Sequence, residues 1–373
     1  MDTMHLGDEQ ADRHPAPAHP GRTSLAQVAA AAGVSPSTAS HALNGTRAVR
    51  AETRERVARA AEQLGYVQNR VARAKRRTAV VGLIFDGIGS APFAGRIIRG
   101  AQEAARERGA LLLVVDSDAD PQLEQSHLGS FADRRVDGIL FARGTHQQVE
   151  RPDGVRDIPV VLINAIPASG WVVPAVAPDE HALAEAATAH LLAAGHRRLA
   201  FITATGDTPV TRGRHAGFRS AIEWAGLYDR DAVVERTTPD AAGGRRMGRR
   251  LLDQPSGERP TAILCYNDQV AMGVYQAAEA VGLEVPRDCS VVGVDDLEVI
   301  SAALDPGLTT MALPHLEMGR RGMAALLDRI AVAGAGGGGA VADVPGPVLL
   351  AGELVERRSV APPRRLMGWL NRG

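Results

Sequence analysis

The 373-residue chain is 45% hydrophobic and 23% charged, which suits two or three packed domains and excludes a disordered chain. Two cysteines, Cys265 and Cys289, exclude a disulfide framework, and no stretch approaches the roughly 20 apolar residues of a membrane span. The net charge of −1 hides a division: residues 22–77 hold eleven Lys/Arg against three Asp/Glu, residues 1–21 hold one against four, and the remainder is acidic. A small basic module joined to an acidic body is the footprint of a chain that meets nucleic acid at one end.

In chain order, residues 1–22 are acidic and His- and Pro-bearing, with no apolar run of the kind a secretory leader needs. They are expected to be a disordered extension on a cytoplasmic protein. From residue 24, "SLAQVAAAAGVSPSTASHALNG" opens on a capping box, Ser24 with Gln27, and places Leu25, Val28, Ala29 and Ala32 on one helical face. Gly33 supplies a left-handed stop, Ser35 caps a second helix with Pro36 at its first position, and Val34 can staple onto Ala39. That second helix buries Ala39, Ala42 and Leu43 and shows Pro36, Ser37, Ser40, His41 and Asn44. A third helix is expected over residues 52–64, stopped by Gly65. The pattern is a helix-turn-helix over residues 23–65, whose second helix can enter a major groove roughly 12 Å wide and bring Ser37, His41 and Asn44 to base edges.

Beyond a connection at residues 66–78, short apolar runs alternate with amphipathic segments. "AVVGLIFD", "ALLLVVD", "DGILFA" and "IPVVLIN" read as buried parallel strands, and "RRLAFIT", "AVVER", "TAILCY" and "CSVVGV" repeat the scheme. Two open α/β units in tandem follow, with sites expected at the carboxyl ends of their strands. Arg214, near the start of the helix after "RRLAFIT", Asn267, after "TAILCY", and Asp295, ending "SVVGVD", stand at such ends. A guanidinium fork facing a carboxylate holds vicinal hydroxyls, which suits a sugar or a nucleoside. The same residues also fit a structural ion pair and a helix cap.

The segments "SLAQVAAAAGVSPSTASHALNG", "ETRERVARAAEQLGYVQNRVAR", "GHRRLAFIT", "RGRHAGF", "CYNDQVAMG" and "SVVGVDDLEV" together resemble the lactose-repressor (LacI/GalR) family of bacterial transcription regulators, from about residue 24 to 362. The resemblance implies an α/β protein with a helix-turn-helix headpiece and a periplasmic-binding-protein-like core of two doubly wound parallel-sheet subdomains, working as a homodimer on double-stranded operator DNA. The core would span residues 79–362, with subdomain 1 at about 79–177 and 313–336, subdomain 2 at about 178–312 and 341–362, and a tail at 363–373. The chain would cross between subdomains near Ala177, near Leu313 and after "GAGGGGA". DNA contacts are implied for Ser24, Ser35, Pro36, Ser37, Thr38, Ser40, His41 and Asn44, and for Tyr66, Asn69, Arg70, Arg73 and Lys75 in the connection. Arg214, Asn267 and Asp295 would line the effector cleft, with Phe93 and the region of Trp171 facing it apolarly. Two departures stand out: His41 replaces the family's common arginine, and Lys75 falls where members place a leucine that wedges into the minor groove. Arg70, Arg73, Lys75, Arg76 and Arg77 are therefore expected to act on phosphates, with an operator bent less than in leucine-bearing members.

Other classes have less support. No nucleophile, base and orienter can be assembled and no G-x-S-x-G is present, so an enzyme is not expected. A transport-binding protein would share the core but lack the basic head. The histidines show no metal spacing, Asp116-Ser117-Asp118 lacks the Gly and Glu of a calcium loop, and both cysteines read as core, so neither a metal nor a cofactor is expected. The expected function is a DNA-binding regulator, repressing rather than activating, whose effector is a sugar. A purine-like or protein co-repressor on the same DNA-binding role stays open.

Overall fold

A computed structural model describes residues 25–44, 49–64, 78–155, 158–228, 231–334 and 346–364. Ser24, the loop at 45–48, the connection carrying Tyr66, Asn69, Arg70, Arg73, Lys75, Arg76 and Arg77, most of the glycine-rich run and the tail beyond 364 lie outside the described residues, as does the extension at 1–22. The chain divides into two units, residues 1–77 and 78–373.

In the first unit, α1 (Leu25–Ala31), α2 (Pro36–Asn44) and α3 (Ala51–Gln63) enclose a core of Val28, Ala29, Ala32, Ala39, Ala42, Val57, Ala60 and Ala61. Six of these eight are alanines, so the helices cross closely around little side-chain volume. The turn between α1 and α2 needs Gly33, whose φ is +64°, a region a Cβ disfavours. Ser35 then accepts a hydrogen bond from the Thr38 amide at 3.1 Å and starts α2.

The second unit contains two six-stranded sheets. The first takes β1 (Val80–Phe85), β2 (Leu111–Asp116), β3 (Gly138–Val149), β4 (Val160–Pro167), β5 (Ala175–Pro178) and β11 (Val348–Leu350), in the order β11-β5-β4-β3-β1-β2. The second takes β6 (Leu199–Ala204), β7 (Ala232–Thr237), β8 (Ala262–Cys265), β9 (Ser290–Asp295), β10 (Thr309–Ala312) and β12 (Glu353–Val355), in the order β12-β10-β9-β8-β6-β7. Every pairing is parallel except β10 with β12. In each sheet the order reverses between the first and third strands, and the crevice at the carboxyl ends there is where open sheets bind ligands.

The helices pack in glycine-lined pairs. Between α6 (Glu180–Ala193) and α7 (Pro209–Trp224), a Cβ at Gly217 would run into the His181 carbonyl, and one at Gly213 would come within 2.6 Å of Glu180 Cβ. The glycines of "RGRHAGF" thus let α7 lie against α6, with Arg214 between them. The helix α11 (His315–Gly334) returns to the first sheet, burying Met318, Met323, Leu326 and Leu327 in its core.

The chain passes from the first sheet to the second after β5, and back between β10 and α11. The third passage, expected directly after the glycine-rich run, lies between β11 and β12. Residues 348–350 extend the first sheet through parallel pairing of Val348 with Val176 and Leu350 with Pro178, so the boundary expected at 341 moves to 351–352.

Candidate functional site

The carboxyl ends of both sheets enclose a cavity of about 150 Å³, which adjoins a shallower depression of about 400 Å³. Phe93, Arg214, Asn267 and Asp295, four of the five cleft residues expected from the sequence, line the inner cavity. Trp171 does not. It sits in the loop between β4 and β5, half-buried against the cluster of Phe131, Val149 and Val173, because a turn at Gly170 folds the loop back onto the sheet.

Arg214 shares the cavity wall with Asp295 but makes its direct contacts to other groups. Its Nε donates to Glu180 Oε2 at 2.7 Å, its Nη1 donates to the Tyr266 carbonyl, and its guanidinium lies 4.8 Å from the Tyr266 ring centroid. Glu180 and Arg214 are both at least 95% buried. Desolvation drives the Glu180 carboxyl up, but Arg214 and His146 outweigh it and hold the group below the usual range. Sequence reasoning missed Glu180; the available signal was an acidic residue opening a helix directly after a strand end, next to its cap Asp179.

Asp295 ends β9 with φ +115°. Desolvation, with added repulsion from Asp268 and Glu180, pushes its carboxyl up to about 8 despite the attraction of Arg214. Asn267 is committed to structure: its Oδ1 accepts from the Val270 amide at 2.8 Å, capping α9 (Asp268–Ala280), and its Nδ2 donates to the Pro239 carbonyl at 3.0 Å. Phe93 precedes α4 (Ala94–Glu107) and stacks on His315, with centroids 4.2 Å apart and planes 5° from parallel. Burial pushes His315 down to about 3, so this ring pair is uncharged.

The longer course of β3 brings in further residues. The sequence suggested a strand ending at Ala142, but β3 continues to Val149 through a register break, carrying Gly144, Thr145 and His146 into the cavity wall. His146 is 7% exposed and its Nδ1 stands 3.5 Å from Glu180 Oε1. With Nδ1 turned to Glu180, His146 Nε2 has no hydrogen-bond partner in the protein, and nor does His315 Nε2. Buried polar atoms are normally paired, so unpaired ones in a cavity wall are positioned for a ligand. Inside the wall the charges of Arg214 and Glu180 balance each other, beside the flat rings of Phe93 and His315.

Among the described residues, no group of three His, Cys, Asp or Glu could hold a metal ion. The Asp116 carboxylate accepts from the Gly87, Ile88 and Asp118 amides at 2.8 to 3.0 Å, which explains that acidic turn as a loop cap. Both cysteines are buried. No helix among the described residues is long and apolar enough to cross a membrane.

In the first unit, Ser35, Pro36 and Ser37 are exposed at the start of α2, with Thr38, Ser40 and His41 half-buried on the following turn. Ser35 and Thr38 also share the capping hydrogen bonds, so α2 offers Ser37 and its neighbours on a fixed helix start.

Residues 24–69 match the family described as bacterial regulatory proteins, lacI family, and residues 188–360 match the periplasmic binding protein-like domain. The chain is 33% identical to the HTH-type transcriptional regulator DegA of Bacillus subtilis, over 80% of this chain and 88% of that protein. It is also 33% identical to the ribose operon repressor of Escherichia coli, over 82% of this chain and 92% of that protein. A Lac repressor dimer bound to operator and the anti-inducer ONPF superposes with a TM-score of 0.66 at 25% identity, covering 91% of this chain and all of that one.

Proposed function

The chain belongs to the LacI family of bacterial regulatory proteins, and from that premise we propose that it is a cytoplasmic, homodimeric repressor released from or fixed to its operator by a sugar in the cleft. It is a DNA-binding transcriptional regulator controlled by a small-molecule effector. The headpiece holds the operator through α2, with Ser37 and His41 on base edges and the basic residues on phosphates. The observation that carries the sugar reading is the cavity itself: about 150 Å³, its one Arg paired with Glu180, and the Nε2 atoms of His146 and His315 left for hydroxyl groups. Among the described lining residues the one arginine is already paired, which disfavours a phosphorylated or carboxylate ligand. The ribose repressor named above is consistent with such a ligand.

The stacked Phe93–His315 pair favours one second reading, because its flat face also accepts a purine-like ring. Calorimetry against pentoses, hexoses, disaccharides and nucleobases separates the two. Saturable heat from a neutral sugar supports the proposal, and heat from nucleobases alone replaces it with the purine-like reading.

A further inference from the structure

At the opposite end of the second sheet, before the amino ends of β6, β8 and β9, lies a groove of about 370 Å³. Four arginines line it, Arg198, Arg259, Arg287 and Arg364, against one carboxylate, Asp288. Asp288 is already engaged by Arg287 at 3.2 Å and by Arg364 at 3.3 Å, and Arg287 also pairs with Glu284. Arg198 and Arg259 are half-buried, and neither has a carboxylate within ion-pair distance among the described residues.

Arg198 is fixed in place. Its Nε donates to the Arg259 carbonyl and its Nη2 to the Ser256 carbonyl, both at 3.1 Å. The groove floor is His196, whose Nδ1 meets Thr261 Oγ1 at 2.9 Å and whose Nε2 meets Ser290 Oγ and the Ala361 carbonyl at 3.0 Å. Burial pushes this imidazole down to about 4, so it adds a rigid uncharged base beneath the cations.

We propose that this groove is a binding site for a phosphate-bearing small molecule, separate from the cleft and independent of what the cleft binds. Two partly desolvated guanidinium groups without counter-charges favour an oxyanion, and their planar forks match phosphate oxygens in pairs. The size exceeds that of a lone ion and falls in the range of small-molecule pockets.

The test is calorimetry of the full-length protein with inorganic pyrophosphate at fixed ionic strength, with citrate as the non-phosphate anion. The expected result is one saturable site per chain that prefers pyrophosphate, weakened about tenfold or more in Arg259→Gln, as loss of a charged hydrogen bond implies. Arg198→Gln should act likewise, but it also releases two loop carbonyls. The Arg259 side chain makes no such contact, so Arg259→Gln reads binding without disturbing the loop. Absence of saturable heat, equal binding by Arg259→Gln, or equal binding of citrate would each overturn the proposal.

Discussion

His41 stands on α2, and if it reads a base edge as proposed, its replacement by alanine should weaken operator binding by about 1 to 3 kcal/mol while sparing random DNA. Fluorescence anisotropy on both duplexes checks this, and equal loss on each would assign His41 to the backbone instead. Asp295 binds its proton more tightly in the folded chain, at about 8, than at its ordinary value of 3.8. Folding therefore takes up a proton between those values, and this contribution to stability is complete below pH 4 and lost as pH rises towards 8. Urea midpoints should fall from pH 5 to pH 8.5, and Asp295→Asn should flatten that fall. Unchanged slopes in the variant would remove Asp295 as the cause. At this scale the sequence disclosed Arg214, Asn267 and Asp295, because each follows a recognisable strand. It did not disclose Glu180, His146 or His315, which reach the cavity only through the crossing at β5, the extension of β3 and the return into α11.

Among the elements, the long apolar strands were legible because parallel strands covered on both faces are apolar throughout. Of the strands of three or four residues only β8 was read, from its apolar run; the same lengths in β5, β10, β11 and β12 carry no periodicity, and with them went the position of the third crossing. The helix-turn-helix was legible because glycine, cap and alanine face coincide within one short stretch. Helix packing was hidden in a different way. Gly213 and Gly217 read as poor helix formers, yet they set the distance between α6 and α7 and so hold Arg214 against Glu180. Gly217→Ala should gain helix propensity and still lose about 1 to 3 kcal/mol, because the added methyl meets backbone rather than a yielding side chain. Denaturant unfolding measures this, and a neutral or stabilising outcome would contradict the packing argument.

At the scale of the molecule, two linked properties follow: how the protein holds DNA and how the cleft alters that hold. Lys75 in place of a wedging leucine should leave the operator bent less sharply, with a central step of weak specificity. Circular-permutation gel shifts report the bend angle, and a sharp central kink would refute this. The two properties are joined by the coupling between cleft and operator. Arg214→Ala alone is a poor probe, since it strands a buried Glu180 at a cost of about 3 to 5 kcal/mol. Replacing both partners, Arg214→Met with Glu180→Gln, removes the charge pair without leaving an uncompensated ion. The most direct measurement is the operator Kd of wild type and this double variant, each with and without the sugar that calorimetry identifies. The sugar should shift the wild-type Kd by about 5- to 150-fold, the usual range of allosteric coupling, and leave the variant's nearly normal Kd unmoved. An operator Kd that no ligand of the cleft changes, or a variant that responds like wild type, would contradict this expectation.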